Sequence, residues 1–126
     1  MARRKTMAHA VCWCIGLCVV CFALSAWARD FEAVKRAAEQ GDAHSQFILG
    51  AMHKNGYGVA KNEAEAAQWF RKAAEQGYAD AQHEMGWVYL KGRVVAQDEA
   101  EAVKWFRLAA AQGHKAAQAV LRNIQK

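Results

Sequence analysis

Glu63-Ala64-Glu65-Ala66, followed by Trp69-Phe70-Arg71 and Ala73-Ala74, returns 36 residues later as Glu99-Ala100-Glu101-Ala102, Trp105-Phe106-Arg107 and Ala109-Ala110. A match of this length at one interval marks an internal repeat, and each copy is then a single packing unit. The same shift aligns Gly41 with Gly77 and Gly113, Gln46 with Gln82 and Gln118, and Leu49 with Met85 and Leu121. It also pairs Gly50 with Gly86, Gly56 with Gly92, and Val59-Ala60 with Val95-Ala96. Partial copies flank the two full ones. Lys35-Arg36-Ala37-Ala38-Glu39-Gln40-Gly41 echoes Arg71 to Gly77, while His114 to Lys126 repeats only the first half.

Within each copy the apolar period is helical. Gln46, Leu49, Gly50 and His53 recur at 3, 4 and 7, as do Ala66, Trp69, Phe70 and Ala73. The chain has no proline and is rich in alanine, which favours helix throughout. Asn62 stands three residues before Glu65, and Asp98 three before Glu101, the spacing of a capping box worth about 1 kcal/mol at each helix start. Gly77 and Gly113 sit where a helix end needs a left-handed residue. Each copy therefore reads as two antiparallel helices joined by a glycine-bearing turn, Asn55-Gly56-Tyr57-Gly58 in the first. The expected fold is all-α, an α/α solenoid of 36-residue helix pairs. Its segments are a half repeat over 29–41, full repeats over 42–77 and 78–113, and a C-terminal capping helix over 114–126.

The first 28 residues read differently. Arg3, Arg4 and Lys5 precede an apolar stretch from Ala10 to Leu24, and Ala26-Trp27-Ala28 offers small residues at a cleavage site. That layout is a secretory signal, with cleavage expected after Ala28 and a periplasmic or secreted product. As a helix the stretch would span about 22 Å, short of the roughly 30 Å hydrocarbon core, which disfavours an uncleaved anchor. All four cysteines, Cys12, Cys14, Cys18 and Cys21, lie inside it, so the mature domain has none for disulfides. Losing Arg3, Arg4 and Lys5 takes the formal net charge from +5 to +2, because every acidic residue lies beyond Ala28. The remaining Lys and Arg alternate with Asp and Glu, which argues against a nucleic-acid face, and no membrane association is expected after cleavage.

The 36-residue pair resembles the Sel-one-like repeat family, a branch of the tetratricopeptide-like solenoids. The residues that carry the resemblance are Ala43, Gln46, Leu49, Gly50, Gly56, Gly58, Val59, Asn62, Ala66, Trp69, Lys72, Ala73 and Ala74. In the second copy they are Ala79, Gln82, Met85, Gly86, Tyr89, Gly92, Val95, Asp98, Ala102, Trp105, Ala109 and Ala110. His53 replaces the family's tyrosine in the first copy, Val94 replaces the second turn glycine, and Arg122 stands where Gly50 and Gly86 do. The last change suggests a capping helix that accepts no further repeat. The resemblance implies an adaptor that brings other proteins together, in exported bacterial members often within envelope or host-facing complexes. Some exported relatives carry a disulfide in each repeat; the cysteine-free repeats here leave any activity of that subgroup aside.

Residues suited to catalysis are sparse. Beyond Ala28 there is one serine, Ser45, expected mid-helix without a glycine elbow, and there is no threonine or cysteine. The pairs Glu63/Glu65 and Glu99/Glu101 are better explained as anions at positive helix starts than as an acid–base couple. His44, His53, His83 and His114 make no His-x-x-x-His or His-Glu-x-x-His pair, so no metal or other cofactor is expected. Phe70 and Phe106 are expected in the core, with Trp69 and Trp105 inward but partly exposed. The first helix of each pair lines the concave side of such solenoids, where a protein or peptide partner would sit. Its freer stripe holds His44, Phe47, Lys54 and Asn55 in one copy and Asp80, His83, Trp87 and Lys91 in the other. Phe47 and Trp87 are either interface anchors or side chains tucked under neighbouring helices. The expected role is a non-catalytic adaptor or scaffold. The alternative is a structural or regulatory envelope protein acting by self-association through unfinished solenoid ends.

Overall fold

The computed structural model describes residues 29–126. The leader read in residues 1–28, with its cysteines and cleavage site, lies outside the described residues. Among the described residues there are six helices and no strands. They are α1 over 29–39, α2 (Ala43–Asn55), α3 (Glu63–Glu75), α4 (Ala79–Lys91), α5 (Glu99–Ala111) and α6 (Lys115–Ile124). None is long and apolar enough to cross a membrane. Helices α2/α3 and α4/α5 are the two full repeat pairs; α1 is a second-type helix and α6 a first-type helix.

The helix ends follow from the local sequence. Asn62 and Asp98 each accept the backbone N–H three residues on, from Glu65 and Glu101, at 3.1 Å. The return arm of the expected capping box does not form. The Asn62 and Asp98 N–H groups donate to the carbonyls of His53 and Tyr89 at the end of the preceding helix, leaving the Glu65 carboxylate to accept from Trp69 Nε1 at 3.1 Å. At the other end, Gly77 and Gly113 take φ of +91° and +87°, and Tyr78 and His114 return their N–H groups to the carbonyls of Ala73 and Ala109. That is a Schellman turn. Tyr78 and His114 are at once the last turn residue of one helix and the N-cap of the next, so successive pairs are connected almost without a loop.

Within a pair, the second helix lays a phenylalanine against a glycine of the first. A Cβ built on Gly50 would stand 2.7 Å from the Phe70 ring, and one on Gly86 2.6 Å from the Phe106 ring. Both rings are buried as expected, 2 % and 0 % exposed, each burial worth about 1.5–3 kcal/mol. Between pairs, Ala38 of α1, Leu49 of α2 and Trp69 of α3 form one buried cluster. One repeat later, Ala74, Met85 and Trp105 meet in the next cluster, in the same register. Trp69 is buried rather than partly exposed; Trp105 is half-buried. The third cluster closes α6 onto the stack through Ala109, Ala117, Val120, Leu121 and Ile124. At the third register Arg122 is exposed.

Gly86→Ala separates two opposed effects. Helix propensity alone favours alanine by about 1 kcal/mol. The added methyl meets a fully buried ring at 2.6 Å, and such overpacking costs about 1–3 kcal/mol. Urea unfolding is expected to show net destabilisation, partly relieved by Phe106→Leu in the same chain; a gain in stability would contradict the close contact.

Candidate functional site

A glutamine ladder holds the first helices in place. Gln46, Gln82 and Gln118 each donate a side-chain N–H to a carbonyl at the end of the preceding second helix, that of Ala38, Ala74 and Ala110, at 3.1, 3.2 and 3.1 Å. Gln76 and Gln112 donate in turn to the Oε1 atoms of Gln46 and Gln82, at 2.8 Å in both pairs. Gln46 and Gln82 are nearly buried, and these bonds satisfy amides that would otherwise be costly to desolvate. The face of α2 and α4 is thereby set in a fixed register.

The expected binding stripe lies on that face, and most of its members reach across to another repeat. His44 Nδ1 meets the Tyr78 hydroxyl at 2.7 Å. Phe47 is half-buried, its ring centroid 5.6 Å from Phe70 and 5.3 Å from Tyr78. In the next repeat the same two positions are Asp80 and His83. Asp80 Oδ1 accepts from His114 Nε2 at 3.0 Å, and the His83 ring stacks on His114 at 4.7 Å. Trp87 donates its indole N–H to His83 Nε2 at 3.1 Å and meets Phe106 edge-to-face at 5.6 Å. Lys91 Nζ lies 5.7 Å from the centre of the Trp87 ring. Lys54 pairs with Glu84 at 2.7 Å, bridging α2 and α4. Asn55 turns back on its own helix, donating to the Ala51 carbonyl at 3.0 Å. Phe47 and Trp87 thus occupy a position between the two alternatives, each with one side on the core and one side on the surface.

Beside this stripe a small open cleft of about 60 Å³ runs between the first pair and α4. Ala66, Ala67, Phe70 and Val88 form its apolar floor, with Trp87 at the wall. Its rim is charged, with Lys54 and Glu84 paired, Arg93 3.6 Å from Glu63, and Lys91 over the indole. An apolar floor with a polar rim is the anatomy of a protein-interaction patch.

Ionisation is perturbed at three places near the caps. Burial, and then the adjacent His114 ring, push the His83 imidazole below its ordinary range. Burial raises the Tyr78 hydroxyl. The Ser45 hydroxyl and then its backbone N–H hold the Asp42 carboxyl low. Ser45 belongs to the first turn of α2, not its middle, and its hydroxyl donates to Asp42. Glu63, Glu65, Glu99 and Glu101 occupy first helical turns. Among the described residues no group of three or more His, Cys, Asp or Glu side chains is placed to hold a metal ion.

Tyr78, Glu84 and His114 are the members of this face that sequence reasoning missed. The signal available for Tyr78 and His114 was their shared place in the 36-residue period, directly after Gly77 and Gly113. Glu84 has no counterpart signal, since only the stacking of α4 beside α2 brings it to Lys54.

A family model described as Sel1 repeat matches residues 43–78 and 79–114. Among solved structures the chain is similar to a Sel1 repeat protein from Oxalobacter formigenes, at 41% identity and TM-score 0.69, over 74% of this chain and 70% of that one. It is similar at 42% identity and TM-score 0.66 to a protective antigen of uropathogenic Escherichia coli strains described as displaying an SLR fold, over 70% of this chain but 19% of that one. Helicobacter pylori cysteine rich protein B aligns at 29% identity and TM-score 0.67, over 71% of this chain and 68% of that one. A search of curated proteins found no match.

The Lys54–Glu84 bridge is half-exposed, so solvent screens it. A double-mutant cycle with Lys54→Ala and Glu84→Ala, read by urea unfolding, is expected to return a coupling of about 0.5 kcal/mol that shrinks with added salt. Strictly additive single variants would show that the two side chains do not meet in solution.

Proposed function

The chain belongs to the Sel1 repeat family, and on that premise we propose that it is an exported, non-catalytic adaptor that grips a segment of a partner protein along α2 and α4. Proteins built from Sel1 repeats are generally protein-interaction scaffolds and typically non-catalytic. The observation that carries the proposal for this chain is the cleft between the first pair and α4, where Trp87 and an alanine-lined floor sit inside a ring of charges. Tryptophan at the wall of an apolar depression is the residue type that most often dominates binding energy. The paired and unpaired charges around it would orient an incoming segment and exclude water from the centre.

The leader read in residues 1–28 supports delivery to the periplasm or beyond, where the cysteine-free repeats need no disulfide. The adaptor reading is favoured over self-association through the solenoid ends. Further stacking on α6 would need a seat for a phenylalanine like those at Gly50 and Gly86, and Arg122 fills that position.

The test is capture of partners from envelope extract by the wild type and by two variants. Trp87→Ala is expected to leave the far-ultraviolet circular dichroism of the native state helical at room temperature while weakening capture by about tenfold or more. Lys91 is exposed, so Lys91→Glu should stay within about 0.5 kcal/mol of wild-type stability and still reduce capture. Loss of helical signal in Trp87→Ala would reassign that side chain to the core. Undiminished capture by both variants would move the binding face elsewhere.

A further inference from the structure

We propose that the stacked imidazoles of His83 and His114 form an acid-released clasp between α4 and the terminal helix α6. Its opening below neutral pH uncaps α6 and frees the Trp87 indole. The clasp rests on contacts within this chain and needs no partner.

The hydrogen bonds assign both rings as neutral. His114 Nδ1 accepts the Ala117 N–H at 3.2 Å, capping α6, which places its ring proton on Nε2, facing Asp80 Oδ1 at 3.0 Å. His83 Nε2 accepts the Trp87 indole N–H at 3.1 Å. Each ring therefore uses its only lone pair as an acceptor. A further proton on His114 must occupy Nδ1 and would point at the Ala117 N–H. A further proton on His83 must occupy Nε2 and would point at the Trp87 N–H. Protonating both would also set two cations face to face across a centroid distance of 4.7 Å.

The surroundings divide. Asp80 and Glu84 of α4 favour a charge on His83, whereas burial, His114 of α6 and Lys54 of α2 oppose it, and the opposing set prevails. Phe106 of α5, against which His83 also packs at 5.7 Å, offers no charge to compensate. Lys91 Nζ of α4 lies 5.7 Å from the centre of the same indole. With its folded-state affinity for a proton lowered, His83 takes up the proton more readily in the unfolded chain. Its contribution to stability is therefore intact above the ordinary histidine range and is lost as the pH falls from there through the lower folded-state value.

The first repeat supplies an internal control. There the equivalent positions are Phe47 and Tyr78, packed at 5.3 Å with their rings tilted by 39°, with His44 in the place of Asp80 and 2.7 Å from the Tyr78 hydroxyl. A phenol both donates and accepts, so it keeps that bond whether His44 is neutral or charged. One clasp tolerates acid and the other does not.

The experiment compares amide protection factors, which remove the intrinsic pH dependence of exchange, at about pH 7.5 and about pH 5, on either side of the ordinary histidine range. In the wild type, α6 amides are expected to lose protection about tenfold relative to those of α3. The double variant His83→Phe/His114→Tyr, which installs the first repeat's pair, is expected to hold α6 protection steady between the two values. Equal wild-type protection at both pH values, or the same loss in the variant, would overturn the proposal. Should the variant fail to fold, wild-type ring titrations by nuclear magnetic resonance decide the matter. Coupled His83 and His114 titrations that track the α6 amides support the clasp, and two independent titrations at ordinary midpoints refute it.

Discussion

The seating of a phenylalanine ring on bare backbone is the contact from which the rest of this structure follows. Phe70 over Gly50 and Phe106 over Gly86 bring the two helices of each pair closer than any side chain with a Cβ would permit. That approach lets small residues do the remaining packing. Ala66, Ala73, Ala102 and Ala109 line the second helices beside the rings and are buried almost completely. A core built of alanine is thin, so it needs large side chains at intervals to fill volume, and the period supplies one phenylalanine and one tryptophan per pair. Arg122 at the third register interrupts this scheme at α6.

Polar groups act with the apolar clusters between pairs to set how one pair sits on the next. Each first helix hangs a glutamine on a carbonyl that already accepts the turn glycine's N–H, using that oxygen's second lone pair. The N-cap residues Tyr78 and His114 then bond back to His44 and Asp80 of the pair before. These contacts recur with the period while the residues making them change. The surface offered to a partner consequently differs along the stack even though the scaffold does not. The first junction presents Phe47 and Tyr78, the second His83, Trp87 and His114; of these side chains Trp87 lines the cleft, and the second junction carries the stacked histidine pair.

Much of the scaffold is legible in the sequence. The period of 36 in Trp69-Phe70-Arg71 and Trp105-Phe106-Arg107 sufficed for the helix pairs, the turn glycines and the buried phenylalanines. The candidate face was legible only as a stripe. Periodicity tells which positions are equivalent, not what stands beside them in space. The pairs His44–Tyr78 and Asp80–His114 are 34 residues apart, and Lys54–Glu84 is 30 apart. Those offsets arise from the angle at which one pair steps onto the next. The same gap leaves Phe47 and Trp87 either free or tucked on the sequence alone. Each lies at a junction of repeats and is partly both. The missing arm of the capping box has a similar origin, since the Asn62 N–H finds the His53 carbonyl across the turn.

Nuclear Overhauser contacts from the glycine α-protons probe the seat of the rings directly. The structure requires cross-peaks from Gly50 to the ring protons of Phe70 and from Gly86 to those of Phe106, since a single added carbon at either glycine would lie under 3 Å from the ring. Their presence at both glycines is the expected result. Their absence at both, in a chain that is otherwise helical, would contradict the close-packed pair on which the whole stack is built.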